Sequence, residues 1–506
     1  MVTRIRQATQ ETQPARKRSR KAAAAGEGAP RMARPILGLA GERMTKVDTA
    51  WLRMDSPGNL MMILGFWTLR PGIGYEALCE RVRERLLKYG RFRQRVDQDL
   101  AGASWIEDEG FDIHRHVVRE SLPRGQARAQ LQKRLGELAL QPLDHRHPLW
   151  QIHLIEHFEG GSALIMRIHH CIADGVALIA VAMSLADGGQ APPPSAKRQA
   201  ARDVDDWFSE ALIRPLTEMA SKALEVAHGG AAKSISLLLD PRKRAEAPKA
   251  LARLGMQVAS DAASLLLMPD DSKTRLKGRA GTVKRVAWCD PLPLVEVKAV
   301  GKALGCSIND VLLSCVAGAI GGYLRSLGDR TEGQEIRAMI PVNLRPLEQA
   351  HKLGNRFGLV PLSLPIGIEN PIERVYEVRR RMNALKGSTQ PLLAFALLAS
   401  AGVLAKGGQD ALLNIFNRKT TAVMTNVPGP REKIELLGAG VEQCMFWVPQ
   451  AGDIGLGISV LSYGGGVQFG VITDASLCPE PQKIIEGFEP EFARLSLVTL
   501  MLPWDE

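Results

Sequence analysis

The 506-residue sequence predicts an α/β protein of two similar units joined by a linker. Three observations predict it. Strand-like and helix-like apolar patterns alternate along two stretches, residues 44–190 and 281–506. Between them, GGQAPPPSAKRQAARD (188–203) holds a proline cluster and charges with no large apolar residue, as linkers do. With 45% hydrophobic and 24% charged residues the chain is also ordinary globular material, which excludes a disordered or fibrous protein.

The first unit opens at TKVDTAWLRMD, and NLMMILGFWTL then reads as a buried strand. Leu78, Val82 and Leu86 recur at helical spacing over 75–88; ASWIED is a short strand and 125–140 an amphipathic helix. WQIHLIEHF and SALIMRIHH are two strands around an EGG turn, followed by the helix VALIAVAMSLAD. Residues 191–280 are linker and helical connector, with Leu251, Leu254, Val258 and Leu265 on one face and basic residues nearby. The second unit runs TVKRVAWC (strand), 291–304 (helix), VLLSCVAGAIGGYLRSL (apolar helix), then the strands IRAMIPVNL and FGLVPLSLPI. A long helical stretch, the strand TAVMTNVP, a hairpin over 454–473 and a helix near 480–497 complete it. In that hairpin Ile454, Leu456, Ile458 and Val460 share one face.

The net charge of +11 is unevenly spread. Residues 1–35 hold nine Lys/Arg and two Glu, a net of +7, leaving +4 for the rest. Residues 1–43 therefore read as a disordered basic arm, suited to an anionic surface, although an Arg-rich, acid-poor start also resembles a transit peptide. No nucleic-acid motif accompanies the charge. The uncharged runs 454–473 and 387–405 are a glycine-interrupted hairpin and a buried or interfacial helix, so no spanning helix is expected. Seven cysteines, none at CxxC spacing, argue against a disulfide framework or structural zinc and for a reducing cytosol.

The chemistry concentrates in RIHHCIADG (167–175). His169 and His170 end a strand, and adjacent strand residues face opposite ways, so only one can enter a given cavity. A histidine there can take a proton near neutral pH. Asp174 can fix the loop through an Arg or a backbone NH, and Gly175 relieves steric limits where the chain enters the helix. Cys171 offers a thiol nucleophile or, more plainly, a small buried side chain. HHxxxD is not a zinc spacing, and no metal is assigned.

HHCIADG matches the HHxxxDG motif of CoA-dependent acyltransferases, which include chloramphenicol acetyltransferase and peptide-synthetase condensation domains. Four further pieces, in order over roughly 44–500, make the chain resemble the bacterial wax ester synthase/diacylglycerol acyltransferase family: VDTAWLRMDSPGNLMM, PLDHRHPLW (142–150), SINDVLL (307–313) and TNVPGP (425–430). The resemblance implies two chloramphenicol-acetyltransferase-like domains, each a mixed sheet with helices, joined by a helical linker. It implies transfer of a long-chain acyl group from acyl-CoA, a substrate and not a cofactor, to diacylglycerol or a long-chain alcohol. His170 carries over as general base, Asn309 as oxyanion donor, Asp174 as a structural group paired with an Arg, and His169 as loop support. Pro148, Leu149, Trp150, Gly175, Asp310, Asn426, Pro428 and Gly429 carry over as substrate-shaping positions.

Each has a plainer reading. Asn309 and Asp310 precede a helix and could simply cap it; Pro148, Leu149 and Trp150 could be core; Asn426, Pro428 and Gly429 a rigid turn. Arg345 in PVNLRP could hold a carboxylate or a CoA phosphate. There is no GxxxxGK[ST] and no GxSxG, so P-loop and serine-hydrolase readings fail. The remaining alternatives are a non-catalytic lipid-inclusion protein and an acyltransferase for another hydroxyl. The expected place of work is the cytoplasm, at the inner face of the membrane or on lipid inclusions; the sequence leaves the oligomeric state open.

Overall fold

A computed structural model describes residues 41–99, 102–189, 260–261, 264, 267–345, 353–386, 388–401 and 406–501. The basic arm, most of the linker and most of the connector lie outside these residues.

The first half contains β1 (Glu42–Arg43), α1 (Lys46–Arg53), β2 (Met62–Arg70), α2 (Tyr75–Arg85), β3 (Gln94–Asp99), β4 (Gly102–Glu107), α3 (Ile113–His116), β5 (Val117–Glu120), α4 (Ala127–Ala139), β6 (Trp150–Phe158), β7 (Gly161–His169) and α5 (Gly175–Leu185). The β6–β7 hairpin turns at Glu159 and Gly160, both at positive φ. The second half contains β8 (Lys284–Trp288), β9 (Leu292–Pro293), α6 (Leu294–Ala303), α7 (Ile308–Ser326), β10 (Ile336–Asn343), β11 (Phe357–Leu364), α8 (Pro371–Leu385), α9 (Gln390–Ala401), α10 (Lys406–Arg418), β12 (Ala422–Pro428), β13 (Glu435–Leu436), β14 (Ala439–Trp447), β15 (Leu456–Tyr463), β16 (Gly466–Asp474) and α11 (Pro481–Leu500).

Two mixed sheets carry the fold, in line with the expected α/β class. One has the order β13-β14-β2-β7-β6-β5, the other β11-β10-β12-β15-β16-β8, with β9 paired to β16. The first sheet is therefore not made by the first half alone. β14, which sequence order places in the second unit, pairs antiparallel with β2 from Gly440↔Arg70 to Trp447↔Leu64. Residues 41–43, expected within the basic arm, belong to the described fold: Glu42–Arg43 form β1, which pairs with β4 in a small sheet completed by β3.

The 454–473 hairpin forms around Gly464 and Gly465, both at positive φ. It is not one-faced. β15 lies between β12 and β16, and Leu456 to Leu461 are buried without alternation, as a central strand requires. Helix α7 is buried along most of its length. Its N-terminus is closed by a capping box, in which Ser307 Oγ accepts from the Asp310 amide and Asp310 accepts from the Ser307 amide. Among the described residues no single helix is long and apolar enough to cross a membrane; α6 and α7 pass that test only as a pair, bent by 99°.

Candidate active site

Strand β7 ends at His169, and the chain turns through Cys171–Ala173 into α5. Asp174 caps that helix, its Oδ1 accepting from the Ala177 amide at 3.0 Å. The turn delivers the two histidines to different places, as strand geometry demands. His169 points into protein: its Nε2 lies 3.3 Å from Asp55 Oδ1, and its Nδ1 accepts from the Cys171 amide at 3.2 Å. Burial works against the Asp55 charge, yet His169 and the Met61 amide hold its carboxyl below the usual range.

His170 faces a cavity of about 290 Å³ between the halves. Its ring stacks on Trp51 of α1, centroids 4.2 Å apart and planes at 10°, and meets Phe357 of β11 at 5.5 Å. Its main chain is pinned at both ends. The amide donates to Met61 O at 2.7 Å, and the carbonyl accepts from Asn355 Nδ2 at 2.7 Å. Asn355 also gives its amide and side-chain NH₂ to Asp48 Oδ1, at 3.0 and 2.8 Å. Burial raises the Asp48 pKa, and these donors oppose the rise.

Burial also depresses the His170 pKa to about 4; its own main chain and Asn355 pull the other way, while His169 adds to the depression. The ring is therefore neutral at neutral pH. Nδ1 is buried without a hydrogen-bond partner of normal geometry.

Asp174 and Arg345 form a buried pair, Oδ2 to Nη2 at 3.1 Å. This answers the expectation of an arginine partner and occupies Arg345 with a carboxylate. Arg345 also donates to Gly354 O at 2.6 Å, while the Gly354 amide donates to Ile172 O at 3.0 Å and the Arg356 amide to Asp174 Oδ2 at 3.1 Å. The second half thus clamps the histidine loop along residues 172–174.

The other expected residues divide. Asp174, Gly175, Asn426 and Pro428 line the cavity. Gly175 is the first residue of α5 and is not at positive φ; a Cβ there would meet nothing within 4 Å, so the glycine leaves space rather than relieving the turn. Gly429 sits against Ser462 O and lines a neighbouring cavity. Asn309 is not on the wall. Its Oδ1 accepts from the side chain of Asn426, which is on the wall. Asp310 belongs to the capping box. Pro148, Leu149 and Trp150 are core: Leu149 O accepts from the His169 amide, and Trp150 Nε1 donates to Phe92 O at 2.9 Å. They support the histidine strand from behind and are not among the residues that line the cavity. Cys171 is fully buried, its thiol pushed well up by burial, and it is absent from the wall. Burial of that kind removes the thiolate a nucleophile needs. Among the described residues no group of three His, Cys, Asp or Glu stands together as metal ligands would.

Trp51, Asn355 and Phe357 were not singled out in the sequence. Trp51 lies in the opening VDTAWLRMD block, but nothing local shows that its indole covers a histidine far along the chain.

Two mixed sheets with a neutral histidine at the cavity between them, followed by Asp-Gly, define an acyltransferase of the HHxxxDG class. Residues 44–312 match the wax ester synthase/diacylglycerol acyltransferase catalytic domain, and 353–496 the C-terminal domain of the same proteins. The chain belongs to the wax ester synthase/diacylglycerol acyltransferase family. A putative diacylglycerol O-acyltransferase of Mycobacterium bovis is 28% identical over 467 residues, covering 90% of this chain and 96% of the relative. A probable diacylglycerol O-acyltransferase of Mycobacterium tuberculosis aligns equally well, at 28% over the same shares. The fold is shared with the wax ester synthase/diacylglycerol acyltransferase of Marinobacter aquaeolei (TM-score 0.62, 21% identity, 90% of this chain and 99% of that one). It is also shared with the first condensation domain of the calcium-dependent antibiotic synthetase (TM-score 0.56, 15% identity, 91% and 96%).

Proposed function

We propose that this acyltransferase moves a long-chain acyl group from acyl-CoA to the hydroxyl of diacylglycerol or of a long-chain alcohol, with His170 as the general base. The observation that carries the reading is a neutral, immobilised imidazole on the wall of an otherwise mostly apolar cavity. As the acceptor oxygen attacks the thioester carbonyl, His170 takes the hydroxyl proton. The C–S bond then breaks, and the imidazolium returns the proton to the CoA sulfur. A buried imidazolium is costly in such surroundings, which favours prompt return. Asn426 is a wall amide suited to the developing oxyanion, and Asn309 positions it. The relatives' names point to diacylglycerol as acceptor.

The protein acts at a lipid surface in this reading, because both products are water-insoluble and the first 35 residues carry a net +7. Each basic residue near an anionic surface adds about 1 kcal/mol. The test is CoA release from palmitoyl-CoA with hexadecanol or dioleoylglycerol. His170→Ala should lower the rate by about 10²–10⁴-fold; an unchanged rate in that variant overturns the assignment.

A further inference from the structure

Asp55, in the loop between α1 and β2, takes no part in the chemistry above. Its Oδ1 nevertheless receives two donors that lead to the main chain of His170 by different routes. The Met61 amide donates to it at 2.6 Å, and Met61 O accepts from the His170 amide at 2.7 Å. His169 Nε2 lies 3.3 Å from the same oxygen, and His169 Nδ1 accepts from the Cys171 amide at 3.2 Å. The two amides that bracket the His170 Cα, its own and that of Cys171, therefore both trace back to one carboxylate oxygen. The loop that brings Asp55 onto Met61 is itself closed. Ser56 and Asn59 exchange main-chain bonds at 3.0 and 3.1 Å, and Asn59 Nδ2 donates to Gly452 O of the second half at 2.5 Å. Met62 then pairs with His169 across β2 and β7, so the ring of bonds closes at the end of the sheet where the histidines emerge.

This ring dictates a tautomer. A backbone amide can only donate, so His169 Nδ1 is the unprotonated nitrogen, and a neutral imidazole then carries its proton on Nε2. That is the proton Asp55 can accept. Burial opposes the Asp55 charge, but His169 and the Met61 amide hold the carboxyl below the usual range, which leaves it an acceptor at neutral pH. In the other tautomer Nδ1–H would meet the Cys171 N–H donor to donor, and Nε2 would face Asp55 with no proton to give. Both bonds would go together, at a histidine only 1% exposed to water.

The geometry points to Asp55 as a positioning residue: it holds His169 in the Nε2–H tautomer and pins Met61 with the same oxygen, and so sets the main-chain position from which His170 presents its ring. The catalytic consequence rests on the acyl-transfer reading of His170, whereas the tautomer is observable without turnover. What the ring needs at position 55 is an acceptor oxygen rather than a charge. Asparagine keeps that oxygen, while leucine keeps the branched shape and removes it.

Two measurements test it. The first is proton–nitrogen correlation NMR of protein labelled at histidine, at about pH 7.5, with the His169 signals assigned by their loss in His169→Ala. His169 should carry its proton on Nε2 in wild type and in Asp55→Asn, and that form should give way in Asp55→Leu. The second is kcat and KM for CoA release from palmitoyl-CoA with dioleoylglycerol. Asp55→Leu should lose about 10- to 100-fold in kcat with KM within about twofold of wild type, because His170 is misplaced while the lipid sites are not. Asp55→Asn should recover most of that loss. Should Asp55→Leu not fold, His169→Ala, which opens the same ring from its other side, takes its place in the kinetic comparison. A wild-type His169 protonated on Nδ1, or on both nitrogens, overturns the proposal whether or not any variant folds. So does a folded Asp55→Leu with wild-type kcat, a loss confined to KM, or an Asp55→Asn no better than Asp55→Leu. No CoA release by the wild type, with this acceptor or with hexadecanol, overturns the acyl-transfer reading itself and the positioning role with it.

Discussion

Replacing Arg345 by Met isolates the buried charge that clamps the histidine loop. Asp174 and Arg345 are 4% and 2% exposed and meet at 3.1 Å. Burial raises the Asp174 pKa against the attraction of Arg345, and burial lowers the Arg345 pKa against the attraction of Asp174. For both groups the loss of water outweighs the partner's charge, so the pair is not a net source of stability. Removing one member is a different matter, because it strands the other; such losses run about 3–5 kcal/mol.

The two single variants should then differ in their response to pH. Asp174 binds its proton more tightly in the folded chain than in the unfolded one. Its contribution to stability is thus complete below the unfolded value of about 3.9 and is lost as pH rises through the folded value. Without Arg345 that folded value climbs further, so the cost of Arg345→Met should shrink on acidification by up to about 1.4 kcal/mol per pH unit once below it. Asp174→Asn keeps an oxygen for the Ala177 amide but strands a guanidinium that cannot lose its proton. Its cost should not shrink on acidification: the variant lacks the Asp174 titration that stabilises the wild type at low pH, so the cost grows as pH falls through the folded Asp174 value. Urea unfolding followed by tryptophan fluorescence at about pH 5 and about pH 7.5, on both singles and the double variant, reads the difference. The His170 titration is common to all four proteins and cancels. A cost of Arg345→Met that is equal at the two pH values refutes the reasoning, as does a double variant matching the sum of the singles within about 0.5 kcal/mol.

The remaining predictions concern His170 and its support. With the His170 pKa at about 4, the acid limb of kcat/KM should lie far below the ordinary imidazole value of about 6.5, and a limb near that value contradicts a buried neutral ring. The same depression makes the histidine's contribution to stability complete above about 6.5 and lost as pH falls toward the folded value. Asn355→Ala removes the side-chain bonds to the His170 carbonyl and to Asp48 Oδ1 and keeps the backbone amide bond to Asp48. It should cost about 1–3 kcal/mol in stability and lower kcat with little change in KM; a change confined to KM would mean that Asn355 serves binding instead.

Local patterns made most elements legible in the sequence, because each strand or helix writes its own period. Partner choice is not written that way. Strand β14 was not singled out in the sequence, and nothing local to 439–447 shows that it leaves its own half to pair with β2. The paired histidines were legible as one inward and one outward residue, since strand geometry forces that division. Asp174 was legible as needing a cation, and Arg345 was noted without being joined to it. Trp51, Asn355 and Phe357 were silent, because stacking and main-chain pinning across hundreds of residues leave no mark at either position. The Asn309–Asp310 pair shows the opposite failure. The residues are visible, but the structure gives Asp310 to the helix cap and sets Asn309 one contact back from the cavity, behind Asn426.

That the second half supplies so much of the first half's support constrains how lipid reaches His170. β14 is sewn into the first sheet beside β2, and residues 354–356 are sewn to 172–174 by main-chain bonds and the Asp174–Arg345 pair. His170 is thus fixed to the second half directly through Asn355, and its ring lies between Trp51 of one half and Phe357 of the other. Swinging the halves apart would tear these bonds and dismantle the support of His170 in the same motion. Long chains are better admitted end-on, through cavities that exist while the halves stay joined. The cavity that His170 faces has that form: Trp51 and Asp174 of one half and Phe357 and Asn426 of the other share its wall. The strand exchange that sequence order conceals is then what lets the joined halves hold both an immobilised histidine and the cavity it faces.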